Sequence, residues 1–345
     1  MITPVALSLL PVAVFLLALN FLDTYRLLTV GRVLRSVAVG CGVATLCLLV
    51  NYVAFGSAEI SSGWHERIGA PTLEEILKAA YILWLIRSHR VGFLVDAAIC
   101  GFAVGTGFAL VENLDYVWAI PSGGIALWAV RGFGTAMMHG GTTAIFAIVS
   151  SSLTERAAKA KPSAFAPGLF LAILIHSLHN HSIFPPVATA AVIIVMIPVL
   201  LSVIFLHSEK KLRQWVGNKL DKDIDLLAMM ATGEFAESPA GKYLHSLQSS
   251  FPPEVLTDML CYLQMLLELS ARAKGDLLRK EMGFPSEPDP ALAGQFKEME
   301  FLERSIGRAG KLALAPLLSF TRQDLWEIHQ LNISAGSLAQ SQHAR

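Results

Sequence analysis

A chain of 345 residues would ordinarily fold as two or three soluble domains, but 54% of these residues are hydrophobic and 16% are charged. That balance excludes an ordinary globular protein and points to a membrane protein. The 27 Lys and Arg are offset by 27 Asp and Glu, for a formal net charge of +0, so no global basic field argues for a nucleic-acid partner. Cys41, Cys47, Cys100 and Cys261 include no CxxC pair, which excludes a disulfide framework and a cysteine-based zinc site and leaves them as small buried apolar residues.

A bilayer core of about 30 Å takes about 20 apolar residues in a helix, and seven stretches approach that length: approximately 4–22, 36–56, 72–87, 91–113, 124–152, 164–182 and 186–207. The first has no Lys or Arg before it and no small-residue cleavage site, so it reads as a retained helix and not as a signal peptide. Basic residues alternate between the loops. Arg26, Arg32 and Arg35 follow the first span, Arg87 and Arg90 the third, Arg156, Lys159 and Lys161 the fifth, and Lys210, Lys211 and Arg213 the seventh, whereas loops 57–71, 114–123 and 183–185 carry Arg67 alone. Lys and Arg accumulate on the cytoplasmic side. The expectation is a multi-pass protein of the cell membrane, N-terminus extracytoplasmic and C-terminus cytoplasmic: an all-α, polytopic transmembrane bundle of about seven spans (1–207) followed by a cytosolic helical domain (208–345).

In that tail, Leu256, Met259, Leu260, Leu263, Leu266 and Leu267 form a helical stripe behind Pro252 and Pro253, which reads as core. Residues 283–290 read as a loop, Thr321 to Asp324 as a capping box, and 333–345 as a frayed end. The tail carries no repeat, no phosphate-binding glycine loop and no nucleic-acid motif, so its partner is not readable.

An ionisable side chain inside a transmembrane helix costs on the order of 3 kcal/mol or more, and four consecutive spans accept that cost. Span three opens on Thr72, Glu74, Glu75 and Lys78. Span four ends on Phe108, Glu112 and Asn113. Span five holds Arg131 and His139, and span six holds His176, His179 and Asn180. Each has a bland reading. Thr72 with Glu75 has capping-box spacing, with both glutamates in a first turn; Lys78 can pair with either glutamate; Glu112 can lie at the interface; His139 can bond a carbonyl beside Gly140 and Gly141. Arg131 reads most simply as a partner for a glutamate. His176 and Asn180, four residues apart, share a helix face. Their concentration in four adjacent helices points to one polar site.

In this order the residues resemble the PrsW family of intramembrane proteases, related to the CAAX-protease and bacteriocin-processing superfamily. The resemblance rests on Glu74, Glu75 and Lys78, then Phe108, Glu112 and Asn113, then Arg131 and His139, then His176 and Asn180, and covers about 70–182. His179 departs from it, since the family more often has an aromatic residue there. The resemblance implies an intramembrane endopeptidase that acts on membrane proteins, including membrane-bound anti-sigma factors.

Hydrolysis inside a membrane requires an activated water, a stabilised oxyanion and a proton for the leaving amine. Two arrangements of these residues supply them. A desolvated glutamate can serve as base on a water held by histidine, with the Asn180 amide at the oxyanion. Alternatively His139, His176 and a glutamate such as Glu112 hold zinc, with Glu74 or Glu75 as base. Rival classes are a non-catalytic receptor or scaffold that signals through its tail and a proton-coupled transporter. An enzyme needs its residues around one cavity; a relay strings them across the bilayer. The expected partners are the lipid bilayer and a single-span substrate cut at or just beyond its extracytoplasmic membrane boundary.

Overall fold

A computed structural model describes residues 2–21, 23, 27–55, 63–120, 122–155, 161–284, 289, 291–318 and 321–343, and among these there is no β-strand. Arg26, Arg156, Lys159 and most of the expected 283–290 loop lie outside the described residues. The chain divides into two units, Met1–Lys210 and Lys211–Arg345.

In the first unit, helices occupy all seven expected spans. They are α1 (Ile2–Phe21), α2 (Val30–Phe55), α3 (Ala70–Arg87), α4 (Leu94–Ala119), α5 (Ile125–Val130) with α6 (Ala136–Thr154), α7 (Ala166–Asn180) and the start of α8 (Pro186–Thr232). Among the described residues, five stretches are long and apolar enough to cross a membrane: Thr3–Phe21, Val30–Val53, Leu94–Ala119, Pro162–Asn180 and Pro186–Thr232. The other two are interrupted. Four charged residues interrupt α3, and a π-helix, Arg131–Thr135, separates α5 from α6.

The centre of the bundle is α4, buried without a break from Val95 to Ala109. Its sequence is apolar on every side, as a helix surrounded by others requires, and its glycines permit close approach. A Cβ on Gly105 would lie 2.1 Å from the His139 carbonyl oxygen of α6, and one on Gly107 2.0 Å from that of Val37 on α2. By contrast, α1, α7 and α8 leave Leu10, Val14, Phe170, Val195 and Val199 exposed, an apolar outer surface suited to lipid.

Three local expectations change. Thr72 does not cap α3. A second π-helix, His65–Gly69, runs straight into that helix, so Thr72 lies inside it, with its hydroxyl on the Ile68 carbonyl at 2.7 Å, and both glutamates fall beyond the first turn. The seventh helix does not stop at 207. No Pro interrupts residues 199–232, and the residues after 207 are charged helix formers, so α8 continues to Thr232. Likewise α12 (Arg322–His343) extends through most of the expected frayed end.

In the second unit, after the short α9 (Pro239–Ser246), Met259, Leu263, Leu266 and Leu267 of α10 (Pro253–Glu281) pack against Leu302, Ile306 and Leu314 of α11 (Leu292–Leu314), with Leu256 and Leu260 at the margin. The expected stripe is therefore core. At the start of α12, the Thr321 N–H and hydroxyl donate to Asp324 at 2.7 and 2.8 Å, and the Asp324 N–H points back to the hydroxyl at 3.4 Å. A buried ion pair joins α10 to α12, with Lys274 Nζ 2.7 Å from Glu327 Oε1.

Candidate active site

Successive residues on a helix point about 100° apart, so Glu74 and Glu75 cannot face the same way. Glu75 turns inward. Its Oε1 accepts from Lys78 Nζ at 2.7 Å and lies 2.9 Å from His176 Nδ1, with the Thr142 hydroxyl at 3.4 Å. The Lys78 and Glu75 side chains are 0% and 1% exposed. Glu74 faces a cavity of about 530 Å³ whose walls also include Phe108, Glu112, Arg131, His139, His176, His179 and Asn180.

Lys78 carries the network from α3 to α6. Its ammonium lies 3.1 Å from His139 Nδ1 and 4.1 Å from the centre of the Phe108 ring, which gives Phe108 a cation–π role. An ammonium only donates, so His139 Nδ1 accepts, and Nε2–H donates to Glu112 Oε2 at 2.7 Å. The other oxygen of Glu112 pairs with Arg131 Nη2 at 3.3 Å. Arg131 is itself fixed: Nε donates to Asn113 Oδ1 at 2.8 Å, the guanidinium stacks 3.5 Å over the Tyr116 ring, and Asn113 Nδ2 donates to the Ser8 carbonyl at 2.9 Å. The π-helix places Arg131 and Thr135 on the cavity wall, a common use of such insertions.

The His139 and His176 rings stand 4.8 Å apart and nearly perpendicular. His176 Nδ1–H donates to Glu75, which leaves its Nε2 lone pair facing Glu74 Oε2 at 3.8 Å. Ligand atoms of Glu74, His139 and His176 all lie within 4.8 Å of one another. Two imidazoles and one carboxylate are the donor set of a catalytic zinc with an open position; the Nδ1–H bond of His176 to Glu75 is the outer support such a ligand has, whereas His139 Nε2 carries the proton bonded to Glu112 and ligates only once it gives that proton up. The residues therefore fit a metal ion. Among the expected ligands, Glu74 joins the two histidines in this group, while Glu112 is held between His139 and Arg131.

Asn180 lines the same cavity, but its amide donates to the Glu66 carbonyl at 2.9 Å, tying α7 to the π-helix that leads into α3. His179 Nε2 sits 3.4 Å from the Thr135 hydroxyl.

Sequence reasoning missed Thr142, Tyr116 and Ser8. Thr142 follows His139 by three residues and Tyr116 follows Glu112 by four, so helical spacing already put each on its partner's face. Ser8 is the one polar residue between Pro4 and Ala18 of the first span, which was its only signal.

A model of the PrsW family, described as intramembrane metalloproteases, matches residues 30–205, half of the chain. No curated protein and no solved structure matches.

Proposed function

Because the chain belongs to the PrsW family of intramembrane metalloproteases, we propose that it hydrolyses a single-span membrane protein, such as an anti-sigma factor, at or just beyond the substrate's extracytoplasmic membrane boundary. The observation that carries this reading is convergence. Glu74, Glu112, His139 and His176 surround one cavity, where a proton relay would string them across the bilayer.

In this reading Glu74, His139 and His176 would hold a zinc ion. When bound, the ion acidifies a water and polarises the substrate carbonyl. Glu75 and Lys78, both out of contact with the cavity, orient the two imidazoles through Nδ1. Glu112 receives the proton of the attacking water as the new C–O bond forms and then returns it to the amine nitrogen as the C–N bond breaks. Arg131, paired with the other oxygen of Glu112, keeps it aimed. This assigns the base to Glu112 and a ligand to Glu74, the reverse of the zinc arrangement drawn from sequence, because Glu75 is sealed by three partners and Glu112 is not a member of the three-residue donor group. Asn180 then positions the π-helix at the mouth.

The seven helices are read as seven crossings, with the basic loops in the cytoplasm. The cavity mouth then faces outward, and exposed Tyr52, Trp64 and Trp118, each next in sequence to a lining residue, Asn51, His65 and Ala119, suit the headgroup level where such rings concentrate. A substrate helix has to unwind there, since backbone groups within a regular helix are already paired.

Metal analysis of the purified full chain tests the assignment apart from activity. One zinc per chain is expected, with loss in H176A and E74Q and retention in E112Q. Retention in H176A, or loss in E112Q alone, overturns it.

A further inference from the structure

The side chains of this machinery come from α3, α4, α6, α7 and the π-helix Arg131–Thr135, yet two backbone carbonyls of α1 reach into it. An inward stripe of buried residues, Ser8, Val12, Leu16 and Leu19, holds α1 to the bundle, and the Phe15 ring meets Phe102 of α4 edge-on at 5.0 Å. The Ser8 hydroxyl is spent on the Val5 carbonyl at 3.2 Å. Its carbonyl accepts from Asn113 Nδ2 at 2.9 Å, and Asn113 Oδ1 in turn accepts from Arg131 Nε at 2.8 Å. One residue earlier, the Leu7 carbonyl lies against Gly132, where a Cβ would stand 1.9 Å from the Leu7 oxygen.

Pro11 accounts for the freedom of that carbonyl. Within an α-helix the Leu7 oxygen would accept from the N–H four residues on, but Pro11, inside α1, has none to give. A carbonyl released in this way inside a bilayer has to be met by a neighbouring element. Gly132, lacking a side chain, lets it reach the backbone of the π-helix, where a Cα–H contact is the interaction on offer. Consecutive carbonyls of α1 thus bear on the two residues that seat Arg131: Asn113, which bonds its Nε, and Gly132, its neighbour in the chain. For stability alone proline is a poor choice at position 11, since it forfeits a helical hydrogen bond. Resting on the protease reading, we infer that Pro11 and Gly132 are positioning residues for catalysis, which seat the π-helix on α1 so that Arg131 aims Glu112. Neither touches substrate or metal.

The test uses the full chain in liposomes with one single-span substrate. P11A adds no bulk and supplies an N–H that draws the Leu7 carbonyl back into α1. Its Tm should equal or exceed that of the unmodified chain while kcat falls roughly 3–10-fold, with KM within about twofold and bound zinc unchanged. A residue that only holds the fold together cannot become slower without becoming less stable. G132A, whose methyl has to push the carbonyl away, should lose about 10–100-fold in kcat, as a displacement near 1 Å can cause, again with zinc retained. Because these changes act through the seat that Asn113 shares, adding P11A to N113A should cost less than about twofold more. An unchanged kcat in P11A, a loss accompanied by lower Tm, raised KM or lost zinc, or losses in P11A and N113A that multiply overturns the positioning role and leaves proteolysis standing. If G132A does not fold, P11A and its combination with N113A decide the matter. No cleavage by the unmodified chain overturns the protease reading and this inference with it.

Discussion

Among the described residues a Lys–Glu pair is buried twice, and the two differ in what surrounds them. In the bundle, Lys78 and Glu75 continue outward through His139 and His176 to Glu74 and Glu112, which line an open cavity. In the tail, Lys274 and Glu327 are 1% exposed each, and their neighbours Asp223 and Ser270 close the network on itself. Burial of charge is the same in both. The bundle pair differs in holding imidazoles whose far sides face space that a substrate can occupy. Buried charge alone thus does not mark a site; buried charge that positions unsatisfied ligands toward a cavity does.

The sharpest way to separate the two is to neutralise one carboxylate in each. E112Q should lower kcat by about 10²–10⁴-fold, the range for loss of a general base, with the protein folded and inserted. E327Q should leave cleavage of the same substrate unchanged. Steady-state cleavage assays on both variants decide this, and equal losses would erase the contrast.

Removing the cation should hurt both regions alike. K78M and K274M each strand a buried carboxylate, at a cost of about 3–5 kcal/mol, and denaturant titration of each region should register it. Only K78M should also abolish proteolysis, because His139 loses the partner of its Nδ1. In α4, G105A forces a methyl against the His139 carbonyl, 2.1 Å away. An overpacking cost of about 1–3 kcal/mol and slower cleavage are expected, whereas the same substitution at Gly217, which has open space around it, should be silent.

The smallest effect is in pH. Burial pushes the Glu327 carboxyl up to about 7, against the pull of Lys274, with Asp324 adding to the rise. Its folded pKa lies above the unfolded value, so its contribution is full below about pH 4.3 and is lost as pH rises through 7. Lys274, whose pKa its two carboxylate partners raise against the effect of burial, stays charged across that window. Hydrogen exchange of α10 and α12 in the full chain should show local stability falling by on the order of 1–3 kcal/mol between pH 5.5 and 8, and E327Q should flatten the dependence.

Much of this was legible before the structure. Apolar runs located all seven helices, and the spacing of Glu75 and Lys78 allowed their pairing. Which of Glu74 and Glu75 faces the cavity was not legible, because the phase of α3 is set by packing against α6 and α7 and by a π-helix that has no hydropathy signature. The same missing signal made Thr72 look like a cap. The link from Arg131 through Asn113 to Ser8 spans more than a hundred residues, and nothing local to Ser8 states which helix it meets. In the tail, the apolar stripe of α10 declared itself by period, whereas Lys274 and Glu327, 53 residues apart, looked like ordinary surface charges.

An outward-facing cavity dictates where the cut falls. Mass spectrometry of the fragments released from a single-span substrate by the purified full chain should place the scissile bond at or just beyond the extracytoplasmic boundary of the substrate's membrane segment, with neither fragment produced by E112Q. A bond cut on the cytoplasmic side, or the same fragments from E112Q, would contradict it.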